Sequence, residues 1–303
     1  MKLLLIPRLK IQNANALSSP YTIGFPAMTA WLGAVHALER KLEGSDYEDV
    51  RFKSVAVVCH TMNLQTIRGD GDYVHSIIGT GNPLVPKTAK GNPQNAVRPP
   101  FVEEARCHLT VSLVVEYDGL GFVDFDEFTE TLNDLIISRM KFAGGDILSC
   151  QPVELHTVEG REERRPFLRR LMPGYCLVER RDLMQQAMQD GKDSLDALLD
   201  YLAVHHSSTV DEQGKVVWTS KRKEKGWLVP IATGFHGISE LGQAINQRDP
   251  KTPHRFAESL VTLGEFIMPY RIEQLDNMLW QYQTDLEKNV YLCQQKQAIQ
   301  QDS

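Results

Sequence analysis

No stretch of this 303-residue chain approaches the roughly 18 uninterrupted apolar residues of a membrane-spanning helix, so none is expected. The first apolar run, Leu3-Leu4-Leu5-Ile6, is cut by Pro7-Arg8-Leu9-Lys10, and no small-residue cleavage site follows. That argues against a signal peptide and for a cytoplasmic protein. Cysteine is sparse and unpatterned: Cys59, Cys107, Cys150, Cys176 and Cys293 are odd in number, widely spread and free of any C-x-x-C pair. A disulfide framework and a cysteine zinc site are thereby disfavoured, and a reducing compartment fits. Glycine (21) and proline (15) are in no excess, which excludes collagen-like and low-complexity chains. Basic residues are in deficit, 33 against 39 acids for a net charge of −6, so the chain is no bulk polycation that coats nucleic acid. Recognisable catalytic signatures are missing as well: there is no P-loop, G-x-G-x-x-G, G-x-S-x-G or H-E-x-x-H.

What is there has the pattern of a folded α+β protein. Residues Leu3 to Gln12 read as a strand, bent at Pro7, which lacks an N–H for the ladder. A polar loop from Asn13 to Pro20 follows, and Gly24-Phe25-Pro26 opens a helix with Trp31, Val35, Leu38 and Leu42 on one face. Phe52 to His60 is a second strand. The third is the plainest, with Leu109, Val111, Leu113, Val115 and Tyr117 alternating against His108, Thr110, Ser112 and Glu116. Asp124 with Glu127 forms a capping pattern for a helix burying Phe125, Phe128, Leu132 and Ile136 and ending at Gly144-Gly145. A fourth strand starts near Ile147. The order β-α-β-β-α-β predicts a ferredoxin-like core, the arrangement of RNA-recognition modules, over residues 1–160.

A long connection at about 62–102, with five glycines and five prolines between Asn63 and Pro100, exceeds ordinary loops and reads as a thumb-like insertion. Residues 161–303 read as a second, less regular α/β region packed on the first. Its expected elements are a strand at Gly174–Glu179 and a helix marked by Leu195, Leu198, Leu199 and Leu202. A hairpin from Val216-Val217-Trp218 to Trp227–Ile231 and a helix capped by Thr252-Pro253 with the face Phe256, Leu260, Leu263, Ile267 complete it. The Gln-rich end after Cys293 is expected to fray. Apolar C-terminal helices with exposed Trp280 and Tyr282 imply surface meant for a partner, and so poor solubility of the chain expressed alone.

Charge is segregated within this acidic chain. Lys2, Arg8 and Lys10 precede the first acid, Glu39, and Lys87, Lys90 and Arg98 stand in an acid-free stretch of the insertion. Seven arginines fall between Arg161 and Arg181, Arg169 and Arg170 among them, and five bases between Lys215 and Lys225. Glu116 to Asp134 answers with seven acids and no base. Such runs are either solvated faces or one basic face that grips a phosphate backbone. The loop Gln12-Asn13-Ala14-Asn15-Ala16-Leu17-Ser18-Ser19 is open to two readings: amides and hydroxyls that hold unstacked RNA bases, or a turn capping the next helix. Catalytic candidates reduce to His36, a possible base for RNA cleavage on the first helix. Adjacent His205-His206 point apart, and no metal site is expected.

The blocks Pro7–Pro20 with Gly24-Phe25-Pro26, Val58-Cys59-His60, Asn82-Pro83-Leu84 and Val102–Arg106 carry a resemblance. Ala143–Leu148, Arg169–Gly174, Gly226–Ile231, Thr252-Pro253 with Arg255-Phe256, and Leu263-Gly264-Glu265 ahead of Arg271 continue it in order. Together they resemble the second-Csy-subunit family of type I-F CRISPR surveillance complexes, a Cas-five-type branch of the RAMP superfamily. The resemblance implies a RAMP fold with a thumb and a non-catalytic subunit whose only bound group is the CRISPR RNA. It implies that Arg8, Lys10, Gln12, Asn13, Asn15, Ser18 and Ser19 contact the RNA 5′ handle. Arg169 and Arg170 would hold phosphate of the RNA or of a target DNA duplex, and Lys87, Lys90 and Arg98 would make thumb contacts to the backbone. The implied partners are the large first Csy subunit and the adjacent third Csy backbone subunit. The alternative is a RAMP endoribonuclease with His36 as base.

Overall fold

The computed structural model describes residues 1–77, 85–86, 96–97, 105–121, 124–247 and 249–296. In chain order the first half holds β1 (Lys2–Asn15), β2 (Leu17–Ser19), β3 (Thr22–Ile23), α1 (Met28–Arg40) and β4 (Arg51–Leu64). It continues with β5 (Thr66–Ile67), β6 (Ser76–Ile77), β7 (Val85–Pro86), β8 (Ala96–Val97), β9 (Arg106–Asp118), α2 (Phe125–Arg139), β10 (Lys141–Phe142), β11 (Gly145–Ser149) and β12 (Glu154–Thr157). The second half holds α3 (Arg161–Arg170), β13 (Tyr175–Glu179), α4 (Arg181–Gln189), α5 (Ser194–Leu202), β14 (Val204–Val210), β15 (Val216–Arg222), β16 (Leu228–Gly237), β17 (Ala257–Ile267), β18 (Trp280–Asp285) and β19 (Val290–Gln295).

An antiparallel sheet of eleven strands organises the described residues, so the chain is α+β. Its first part runs β11-β1-β9-β4, with β10 outside β11 and β12 also on β1. β1 explains itself: Leu3 and Leu5 bury on one face while Leu4 and Ile6 bury on the other, so the run is apolar throughout. At Pro7 the register against β9 jumps from Ile6 to Leu9, and Arg8 takes φ +51°. That bulge puts Ile6 and Leu9, three residues apart, on the same face, and Ile11 follows. Helices α1 and α2 cover this face, with Met28, Trp31, Leu38, Phe128, Leu132 and Ile136 fully buried against it.

α2 starts where its sequence pattern puts it, the Asp124 carboxylate accepting from the N–H groups of Asp126 and Glu127. It ends earlier than expected, at Arg139, and Phe125 lies exposed. Ala143 and Gly144, read as a helix cap, are instead the two positive-φ residues of the tight β10–β11 hairpin. Gly145 beside them lies so close to Ile11 and Gln12 that no Cβ fits.

The second half departs further from the sequence reading. The residues with helical spacing, Phe256, Leu260, Leu263 and Ile267, fall on or beside β17, which pairs with β16 along one edge and β13 along the other. Two-sided pairing overrides a coincidental period of 3.6, and Gly264 in mid-segment weakens a helix further. β15 pairs with β14 rather than with β16, so the expected hairpin partner was wrong. β19 runs to Gln295, whose side chain accepts from the Glu179 N–H, so order persists past Cys293. β13 and β18 both meet the edge of β4 that β9 leaves open, curling the second half back on the first. Trp280, expected to be exposed, is fully buried at that seam.

Candidate nucleic-acid interface

The face of β1, β9 and β4 opposite α1 and α2 is only partly covered. Near Leu3, Leu5, Val58 and Val114 it is sealed by Phe167, Leu168 and Leu171, from α3 and the residue after it. Beyond the bulge it is open. Alternation turns Lys10 and Gln12 outward on β1, since Leu9 and Ile11 face the helices. The same rule turns His108 and Thr110 outward on β9 and Thr61 and Asn63 on β4. Register then builds rows across the sheet: Ser149, Lys10, Thr110 and Thr61 lie side by side, and His108 is beside Asn63. Lys10, Gln12, Thr61, Asn63, His108 and Thr110, together with exposed Leu148, line a shallow depression of about 230 Å³. Amide, hydroxyl and imidazole groups around one cation can donate to phosphate and sugar and read base edges, while Leu148 offers an apolar seat. The segment from Leu64 to Arg106 leaves and rejoins the sheet at this end; Lys87, Lys90 and Arg98 lie outside the described residues.

The other expected handle residues fall elsewhere. Asn13 has φ +56°; its Oδ1 accepts from Gln65 and its N–H donates to Nδ1 of His108, which fixes the His108 ring at the margin of the open face. Asn15 Oδ1 accepts from the Leu17 N–H, and the Ser18 and Ser19 hydroxyls bond Thr22 within the β2–β3 hairpin. Asn15 and Ser18 line a second groove, about 680 Å³, on the α1 side with Arg106 and Lys141. The segment Gln12–Ser19 is thus the rim between two surfaces, not one contact strip. Arg169 lies on the exposed side of α3, and Arg170 pairs with Glu154. His36 sits on the outer side of α1 near Glu39, beside Arg40, Glu43 and Arg51, remote from the open face. Burial pushes the Cys107 and Cys150 thiols up to about 11 and those of Cys59, Cys176 and Cys293 to about 12, which leaves them unreactive as nucleophiles near neutrality. Among the described residues no group of three or more His, Cys, Asp or Glu is placed to hold a metal, and no helix is long and apolar enough to cross a membrane.

Arg8 closes the covered end. Its guanidinium donates to the Met172 carbonyl at 2.8 Å, and its backbone N–H donates to Ser112 Oγ at 3.0 Å. His60 Nδ1 is 2.6 Å from the Pro173 carbonyl, and its Nε2 is 2.7 Å from Ser112 Oγ. A carbonyl only accepts, so Nδ1 carries the proton and Nε2 accepts the hydrogen bond donated by the Ser112 hydroxyl. The chain of donors is complete with a neutral ring. Burial holds the His60 pKa below its ordinary value; the Pro173 carbonyl pulls it up and Arg8 down again. Since the unfolded chain then binds a proton more readily, this stability is full above about pH 6.5 and is lost as pH falls below it. Thermal unfolding is expected at lower temperature at pH 5.5 than at pH 7.5, and His60→Gln is expected to shrink that difference. An equal fall in both proteins would remove His60 from the account.

Sequence reasoning missed Thr61, Asn63, His108, Thr110 and Leu148. The alternation of β9 already held a signal for two of them, because its polar half must face away from the helices. The family model described as CRISPR-associated protein (Cas_Csy2) matches residues 4–293. A curated relative, the CRISPR-associated protein Csy2 of Pseudomonas aeruginosa (strain UCBPP-PA14), is 35% identical over 318 aligned positions, covering 95% of this chain and 94% of the relative.

Proposed function

Because the chain belongs to the Cas_Csy2 family of CRISPR-associated proteins, we propose that it is a non-catalytic RNA-binding subunit of a cytoplasmic type I-F surveillance ribonucleoprotein. In this reading it holds the 5′ handle of the CRISPR RNA, pairs with the large first Csy subunit and abuts the third Csy backbone subunit. Residues 1–160 act as the RNA-binding domain with its insertion, and residues 161–303 brace it. The strand order β11-β1-β9-β4, with α1 and α2 on one face, supports a ferredoxin-like RAMP core. The observation that carries the proposal is the open polar face of that core, with Lys10 central in a cross-strand row. RNA-recognition sheets present unstacked bases on such a face.

Lys10 and Gln12 make the direct contacts, and Asn13, Asn15, Ser18, Ser19 and Arg8 shape the rim and floor around them. In the assembled complex, Lys10→Ala with Gln12→Ala removes bonds worth about 1 kcal/mol each, so cognate-handle affinity falls about thirtyfold. Scrambled RNA, which shares only the phosphate contact of Lys10, loses much less. Asn13→Ala with Asn15→Ala also weakens the cognate handle selectively, since it takes the Oδ1 acceptors from Gln65 and from the Leu17 N–H and puts alanine at a left-handed backbone position beside the open face. Equal losses on cognate and scrambled RNA would assign the face to backbone contact alone. The competing endoribonuclease reading predicts cutting of repeat RNA that His36→Ala abolishes; the proposal predicts intact RNA with either protein.

A further inference from the structure

The arginine-rich run after Arg161 divides once folded. Arg170 pairs with Glu154, Arg180 with Asp182 and Glu265, and Arg181 with Glu179. Arg161, Arg164, Arg165 and Arg169 make no side-chain hydrogen bond or ion pair among the described residues, and neither does Arg271. These five line one cleft of about 760 Å³ between α3 and the turn at Pro269–Arg271, with Glu273 as its single acid. Arg164 carries a further sign of an absent acceptor: its Nε is out of solvent with no partner. Guanidiniums three and four residues apart on a helix repel, and a buried donor without an acceptor costs free energy. Both costs are relieved by a bound anion.

We propose that this cleft is a second, sequence-independent site for the phosphate backbone of a nucleic acid. It rests on other residues than the handle site and goes beyond it. From Arg161 to Arg169 the helix rises about 12 Å, the length over which one strand of a duplex carries three to four phosphates. A single small anion could not use that spread. Guanidinium forks match phosphate oxygens two at a time. Tyr270 is the single aromatic on the cleft, so stacking is limited to about one base, and stacking tolerates any base. The contacts therefore hold the strand without reading it. Arg161, Arg165, Arg169 and Arg271 are all exposed, so they are available to a strand and can be changed with little effect on folding.

The test uses the full chain, a scrambled single-stranded RNA and a duplex DNA, each titrated across a series of salt concentrations. Arg165→Gln with Arg169→Gln is expected to lower low-salt affinity about tenfold or more. It should also flatten the salt slope by about 0.7 per contact on single strands or 0.9 on duplex. Loss confined to one probe assigns the cleft to that nucleic acid. Arg271→Gln, from a separate element, should act in the same direction and keeps the test open if α3 is disturbed. Arg170→Gln, whose partner is Glu154, should leave affinity and slope unchanged. Lys10→Ala with Gln12→Ala should leave the cleft's share of the slope intact, so failure of either site is read separately. Wild-type affinity and slope in both cleft variants, or an equal loss with Arg170→Gln, would overturn the proposal.

Discussion

Trp280→Ala is expected to lower the stability of the chain by about 3–5 kcal/mol, the range for emptying a fully buried large aromatic position. Trp280 has no exposed surface, and its Nε1 donates to the Leu177 carbonyl at 3.0 Å. Its Cα neighbours across the sheet are Val55 and Gln295, so it stands where β4 and β19 converge on β18. Truncation leaves a cavity and takes a hydrogen bond from Leu177 at the seam between the halves. Denaturant unfolding measures this directly. A midpoint shift equivalent to less than about 0.5 kcal/mol would be the behaviour of a surface tryptophan and would contradict the packing described here.

Glu265→Ala is expected to cost about 3 kcal/mol by a different route. The Arg180 side chain is 5% exposed and the Glu265 side chain 9%, with Arg180 Nη1 to Glu265 Oε2 at 2.5 Å. Burial alone would lower the Arg180 pKa, yet the carboxylates of Asp182 and Glu265 hold it above its ordinary value. Without Glu265 the guanidinium stays charged and keeps only Asp182, so one buried donor loses its acceptor. Replacing both partners, Arg180→Met with Glu265→Leu, removes the stranded charge and is expected to cost less than the single change. A double variant weaker than Glu265→Ala would show that the pair is net stabilising rather than merely costly to break.

The first half was legible because its signals are local. The alternation in β9, the Asp124 cap and the apolar face of α1 each lie within one element and survive folding unchanged. The second half was not, because its strands are chosen by partners far away in sequence. Leu260, Leu263 and Ile267 keep a helical spacing, but β13 and β16 offer the segment two hydrogen-bonding edges at once. Trp280 was misplaced for the same reason: nothing near it in sequence announces Val55 or Leu177. Within the candidate site, Lys10 and Gln12 were readable from strand alternation alone. Their neighbours Thr61, Asn63 and Thr110 come from register, which no single stretch of sequence displays. The Asn15–Ser19 segment has the composition of a binding loop and also of a tight hairpin, and its side chains are spent largely on the hairpin. In the Arg161–Arg181 run, composition could not separate the arginines held by carboxylates from those left open.

The central claim is that the open face beyond the Pro7–Arg8 bulge receives the handle of the CRISPR RNA. Photo-crosslinking from handle nucleotides in the assembled complex, with the attached peptides mapped by mass spectrometry, tests it most directly. The account predicts attachment to peptides containing Lys10–Gln12, Thr61–Asn63 and His108–Thr110. Attachment confined to the outer side of α1 around His36, or handle nucleotides that never reach this chain, would contradict it.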